Sequence, residues 1–127
     1  MSMLNEMTYS QAIRETLDDS LKKDDRVFLI GEDIGRYGGA FGVTKGLLEK
    51  YGPNRVIDTP MSEQSITGLA IGAAINGLRP ILEIMFMDFT TLIYDQIFNH
   101  ASIINYMTCG EVNVPLVIRT TSGGGKG

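Results

Sequence analysis

Three things are scarce in this 127-residue chain: it has one cysteine, one histidine, and 11 basic residues against 15 acidic ones. Cys109 alone excludes an internal disulfide, and with a single histidine no Cys/His cluster reaches metal-ligand spacing. Net charge is −4 and the bases are scattered, so neither a phosphate backbone nor an anionic lipid surface meets a continuous positive face. Nucleic acid is therefore not an expected partner. No apolar run approaches the roughly 20 residues that cross a bilayer, so no membrane is expected either. The first residues have neither the apolar core of a signal peptide nor the Arg-rich, acid-poor character of a transit peptide. Together these absences predict a reduced, prokaryotic cytoplasmic setting, and the length suits one domain rather than two.

What is present is an alternation of elements. Thr8 is placed to cap a helix over Tyr9–Lys23, whose Ala12, Ile13, Leu17 and Leu21 form an apolar stripe and whose Lys22 and Lys23 complement the negative end of the dipole. Residues 26–30 form a short, continuously apolar run after Arg26, as expected of a strand buried on both faces. The glycine-rich stretch 35–42 lacks the one, three, six spacing of a dinucleotide loop and is expected to be a mobile or ligand-facing surface loop. Residues 43–51 are predicted as a short helix stopped by Gly52-Pro53.

The most informative stretch is Asp58-Thr59-Pro60-Met61-Ser62-Glu63. It follows the β-branched run Arg55-Val56-Ile57 and opens an Ala/Gly/Ile segment, so a buried strand passes here into a helix over about residues 63–76. Pro60 keeps Thr59 out of the helical region, and Ser62 is placed to cap. Glu63 then falls in the first turn, where the dipole favours an anion. Gly68 and Gly72, one turn apart, predict close backbone packing. In the next strand, residues 80–86, Glu83 interrupts an apolar run and needs a partner or a proton. From Asp88 the longest helical pattern runs to near Gly110, with Leu92, Ile93, Ile97, Ala101 and Ile104 on its apolar side. His100 has no acid or nucleophile at a telling spacing and is expected at the surface without chemistry. Residues 114–120 form a fourth strand. The tail 122–127 is not a Walker loop, since no Ser or Thr follows Lys126.

Four strands alternating with helices predict an α/β fold: a parallel sheet with helices on both faces, binding ligands beyond the carboxyl ends of its strands. Glu32, Glu63 and Asp88-Phe89 all fall just past such ends, so three separate loops converge on one edge.

Five segments carry a family resemblance: Leu29-Ile30-Gly31-Glu32-Asp33, Asp58-Thr59-Pro60-Met61-Ser62-Glu63, Gly77-Leu78-Arg79-Pro80, Phe89 with Asp95-Gln96, and Val114-Pro115-Leu116-Val117-Ile118-Arg119. In order and spacing they resemble the beta subunit of thiamine-diphosphate-dependent 2-oxo acid dehydrogenases, of the pyruvate or acetoin type. The resemblance implies a transketolase-like pyrimidine-binding domain, with residues 1–127 as its N-terminal portion and the domain C-terminally incomplete. It implies that Glu63 hydrogen-bonds the ring nitrogen of the cofactor's aminopyrimidine and promotes the tautomer needed for carbanion formation. It further implies that Phe89 stacks on that ring, with Met61 and Met85 lining it. Glu32 and Asp95 match acids that face a proton passage between paired active sites, and Leu116 matches a residue whose backbone carbonyl joins a potassium site.

Magnesium and the diphosphate are implied to be held by an alpha subunit. A second beta subunit and a lipoyl acyltransferase core complete the partners of an expected heterotetrameric component that transfers an acyl group to lipoamide. The substrate is implied to be a small 2-oxo acid or acetoin, with branched-chain 2-oxo acids further off. The 127 residues are expected to be inactive alone. Two other readings stand beside this one: a non-catalytic assembly or binding module whose edge strand seeks a partner, and a subunit of another transketolase-like thiamine enzyme.

Overall fold

The computed structural model describes residues 6–123, so the reading of the tail beyond Gly123 lies outside it. Four strands, β1 (Val27–Gly31), β2 (Val56–Asp58), β3 (Arg79–Ile84) and β4 (Val117–Thr120), form one parallel sheet in the order β2-β1-β3-β4. Helix α1 (Tyr9–Lys23) precedes β1, and helices α2 (Leu47–Tyr51) and α3 (Glu63–Ile75) connect the first three strands.

Successive residues of β1 point to opposite faces, and all five are buried, so each face needs its own cover. On one face Val27, Leu29 and Val56 pack with Leu17 and Leu21 of α1 and Leu47 of α2. On the other, Phe28, Ile30, Leu82 and Ile84 pack with Ile66 and Ala70 of α3 and with Ile93. The predicted α/β sheet covered on both sides is thus what the chain forms. Truncating Leu82, which is wholly buried between β1 and β4, would cost about 2–5 kcal/mol.

Helix α1 has the predicted limits and a complete capping box: Thr8 Oγ1 accepts the Gln11 amide, and Gln11 Oε1 accepts the Thr8 amide at 2.8 Å. Ser62 occupies the N-cap of α3 but does not cap with its side chain, whose hydroxyl donates to the Pro60 carbonyl instead. Of the two α3 glycines only Gly68 packs closely, with Gln96 Oε1 3.3 Å from where a Cβ would stand. Nothing lies within 4 Å of a Cβ built on Gly72.

Two predicted helices differ from expectation. The segment 43–51 becomes helical only at Leu47, because Gly46 takes a left-handed conformation (φ +86°) at the N-cap, while Val43 and Thr44 fold into the preceding loop. The long pattern after Asp88 is not one helix. It is a 3-10 helix, Met87–Ile93, then a π-helix, Gln96–Ala101, then α4, Ile104–Met107. This changing pitch buries Ile93 and packs Ile97 against the α3-side core, but leaves Leu92 exposed. β4 begins three residues late, at Val117: Pro115 has no amide for a ladder, and the Leu116 amide turns back to the Val114 carbonyl.

Candidate functional site

In a parallel sheet the register of neighbouring strands decides which side chains share a row. Here Asp58 pairs with Gly31, Gly31 with Glu83, and Glu83 with Arg119, so the four cross the carboxyl edge in line. By alternation this row lies on the side covered by α1 and α2. Gly31 makes the row possible, since a Cβ there would sit 2.9 Å from the Glu83 carbonyl oxygen. Glu83 is only 7% exposed and forms an ion pair with Arg119, the partner its place in an apolar strand requires. Burial pushes its pKa up, and the guanidinium opposes that rise.

The glycine-rich loop is held over this row by hydrogen bonds. The Asp58 carboxylate accepts the amides of Gly35, at 2.5 Å, and Arg36, at 3.2 Å. The Gly39 amide donates to the Asp33 carbonyl, the Thr44 amide to the Gly38 carbonyl, and the Thr44 hydroxyl to the Ile34 carbonyl. Arg14 of α1 donates to the carbonyls of Gly42 and Val43. Its repeated glycines reflect this close folding: Gly38 and Gly39 are buried at φ +86° and +80°, where a Cβ would be strained.

The α3 side of the same edge is arranged differently. Glu63 opens α3, partly buried, and Glu32 follows directly on β1, also partly buried. Among the described residues neither carboxylate accepts a hydrogen bond or forms an ion pair. Burial raises the pKa of Glu32, and the negative charges of Glu63 and then Asp33 raise it further. Two hydroxyl oxygens at this edge, Thr59 Oγ1 and Thr120 Oγ1, are buried without a partner among the described residues.

The remaining sequence-derived candidates are distributed unevenly. Met85 and Phe89 lie just past β3. Phe89 is 37% exposed and meets Phe86 edge to face at 5.7 Å between ring centres. Met61, in the turn before Glu63, is 76% exposed. Asp95 stands between the 3-10 and π-helices, accepting from Asn99 at 2.7 Å, with His100 at 3.8 Å. Leu116 precedes β4, at the opposite end of the sheet from Glu63. Sequence reasoning did not single out Asp58 or Arg119 as working side chains, because their partners are 23 and 36 residues away. Among the described residues no group of three or more His, Cys, Asp or Glu could hold a metal ion, and no helix is long and apolar enough to cross a membrane. An open groove between α1 and α2, bordered by Arg14, Asp18, Lys45 and Lys50, is separate from this edge.

Comparison with known proteins bears on what this edge does. Residues 5–127 match the family described as the transketolase pyrimidine-binding domain. The chain is 47% identical over 122 residues to the mitochondrial pyruvate dehydrogenase E1 component subunit beta-1 of Oryza sativa subsp. japonica, covering 96% of this chain and 33% of that protein. It is 46% identical over 126 residues to the mitochondrial E1 subunit beta of Pisum sativum, covering 99% and 35%. With the subunit beta of Cyanidium caldarium it shares 50% identity over 116 residues, covering 91% and 36%. The chain thus spans about a third of the length of the relatives it matches. These matches overturn the expected prokaryotic cytoplasmic setting, since the relatives from rice, Arabidopsis thaliana, pea and Ascaris suum are named mitochondrial. The scarce cysteine and scattered bases behind that expectation are properties of a folded domain and carry no address.

Proposed function

The chain belongs to the transketolase pyrimidine-binding domain family, and from that premise we propose that it supplies the aminopyrimidine half of a thiamine diphosphate site in a pyruvate dehydrogenase E1 beta subunit. The observation that carries this reading is Glu63, a partly buried carboxylate in the first turn of α3 with no donor of its own among the described residues. A partly buried carboxyl that no protein group engages is available to a ligand. The ring nitrogen of an aminopyrimidine is an acceptor to which the Glu63 carboxyl would donate, and the half-exposed ring of Phe89 offers a stacking surface for the same heterocycle. Met85, partly buried, and Met61, exposed and flexible, suit the lining of an aromatic ring. The residues present therefore fit the pyrimidine half of the cofactor.

Bound thiamine diphosphate supplies an acidic thiazolium carbon that adds to a 2-oxo carbonyl. The chain's own part is proton handling. Glu63 holds and returns a proton at the ring nitrogen, which a carboxyl of tunable pKa can do and an ammonium cannot. Glu32, whose pKa is raised, takes a proton nearer neutrality than an ordinary glutamate and is the first member of a proton passage that continues to Asp95. Leu116, at the far end of β4, would place any potassium held by its carbonyl in a structural role away from Glu63.

The diphosphate and magnesium are assigned to the alpha subunit. Support for docked alpha and second beta subunits comes from the segment 87–107. It exposes Met87, Leu92, Tyr94, Phe98, Tyr106 and Met107, with the Tyr94 and Phe98 rings stacked at 4.7 Å. Such an assembly would act on pyruvate, or on acetoin as the second choice, and pass the acyl unit to a lipoyl acyltransferase core.

The test is calorimetry of thiamine diphosphate with magnesium on the full-length beta subunit assembled with its alpha partner, comparing wild type with Glu63→Gln. The variant is expected to bind within tenfold of wild type while exchanging the thiazolium proton at least 100-fold more slowly. Equal exchange rates in the two proteins would overturn the reading.

A further inference from the structure

Asp58 sits between the two bare acids in a way that gives it a task. It ends β2 beside Gly31, which ends β1, and the Thr59 amide donates to the Gly31 carbonyl at 3.0 Å, so the two strand exits are locked together. One chain then runs through Glu32 into the glycine-rich loop, and the other runs five residues on to Glu63. After Glu32 the first chain turns back at Asp33, which takes a left-handed conformation (φ +55°), one that Asp adopts more readily than most non-glycine residues. The reversal brings the amides of Gly35 and Arg36 onto the Asp58 carboxylate. Hydrogen bonds to an ionised acceptor are the strong kind, and here one carboxylate receives two. The fit leaves no slack, because a Cβ on Gly35 would run into that carboxylate. Gly35 has no left-handed φ, so here glycine answers a close approach rather than a backbone conformation.

We propose that Asp58 is a positioning residue: by gripping the amides of Gly35 and Arg36 it fastens the chain that carries Glu32 to the chain that carries Glu63, and so sets the separation of the two acids. The raised pKa of Glu32 is the property this grip maintains, since it depends on burial and on the nearby charges of Glu63 and Asp33. Losing the grip would let the loop lift, water enter and the two carboxylates part. Its bearing on catalysis rests on the reading of Glu63 given above, whereas the grip is tested without cofactor, so either can fail alone.

The experiment is a carboxyl-carbon NMR titration of Glu32 in the cofactor-free chain, with amide hydrogen exchange at Gly35 and Arg36. Wild type should show both amides protected; rapid exchange at both would overturn the proposal with no variant needed. In Asp58→Ala those amides should exchange about tenfold faster, the factor given by one lost hydrogen bond, and the Glu32 midpoint should fall toward the ordinary glutamate value. Gly35→Ala keeps every charge and only pushes the carboxylate away, so it should lower the Glu32 midpoint as well. Asp58→Asn removes the charge but keeps one acceptor oxygen, and should stay nearer to wild type. If Gly35→Ala melts at a lower temperature yet leaves the Glu32 midpoint in place, the residue is merely structural and the proposal is wrong. It is wrong too if Asn and Ala at position 58 lower the midpoint equally, since charge alone would then explain the shift.

Discussion

The two sides of the carboxyl edge treat their acids in opposite ways. On the α1–α2 side Asp58 receives two amides and Glu83 a guanidinium. On the α3 side Glu32 and Glu63 receive neither among the described residues, and the charge of Glu63 raises the pKa of Glu32. A carboxylate saturated with donors holds loops and strands in place. One left bare and crowded costs stability, and that cost is tolerated where the acid has chemistry to perform.

The most disruptive way to erase the contrast is to strip the donor from the saturated side. Arg119→Met should lower stability by about 3–5 kcal/mol at pH 7, because it leaves a buried carboxylate alone. Urea denaturation would measure it. Burial raises the pKa of Glu83 above its ordinary 4.5, so the loss should shrink as pH falls. It should vanish below about 4.5, where the group is protonated in both folded and unfolded states.

Removing the charge from the bare side should act on rate instead, on the role proposed above for Glu63. In that proposed assembly Glu63→Gln is expected to slow turnover by roughly 10²–10⁴ while moving stability by no more than about 0.5 kcal/mol. A stability loss on the scale of Arg119→Met would show that the two sides do not differ in kind. A smaller effect should come from Gly39→Ala, which adds a Cβ at φ +80° and 3.3 Å from Glu83 Oε1. It should cost about 1–2 kcal/mol in the same denaturation assay.

The smallest effect, and the only gain, is expected for Glu32→Gln. Its folded pKa lies above the unfolded value near 4.5, so above the folded pKa the folded protein carries a penalty that glutamine removes. The variant should be more stable by about 0.5 kcal/mol at pH 7, the size of a surface substitution. The gain should disappear on titration below about pH 4.5. A loss at pH 7 would mean that Glu32 has a donor after all.

The alternation of elements and the turn that places Glu63 were legible because both are local: β-branched runs, Pro60, and an acid directly before an Ala/Gly/Ile segment. Thr8 was equally readable as a helix cap, while the Gln11 side of its capping box came from the structure. The grip of Asp58 on Gly35 and Arg36 was not, since no spacing rule connects residues more than 20 positions apart. The same holds for the Glu83–Arg119 pair, where the sequence showed the need for a partner but not its identity. The segment 87–107 misled for a different reason. Its apolar spacing fits one α-helix, yet seating Ile93 and Ile97 on α3 draws the backbone through three pitches. Tertiary packing overrode periodicity there, as the left-handed Gly46 overrode it before α2.

The strand order β2-β1-β3-β4 also shapes how the chain can emerge from a ribosome. β1 follows α1, but its neighbours arrive only with residues 56–58 and 79–84. Until then an apolar segment buried on both faces in the finished fold has nothing to pair with. At about 5–20 residues per second, β1 waits for several seconds before β3 appears. During nascent synthesis it is an apolar stretch open to a ribosome-associated chaperone.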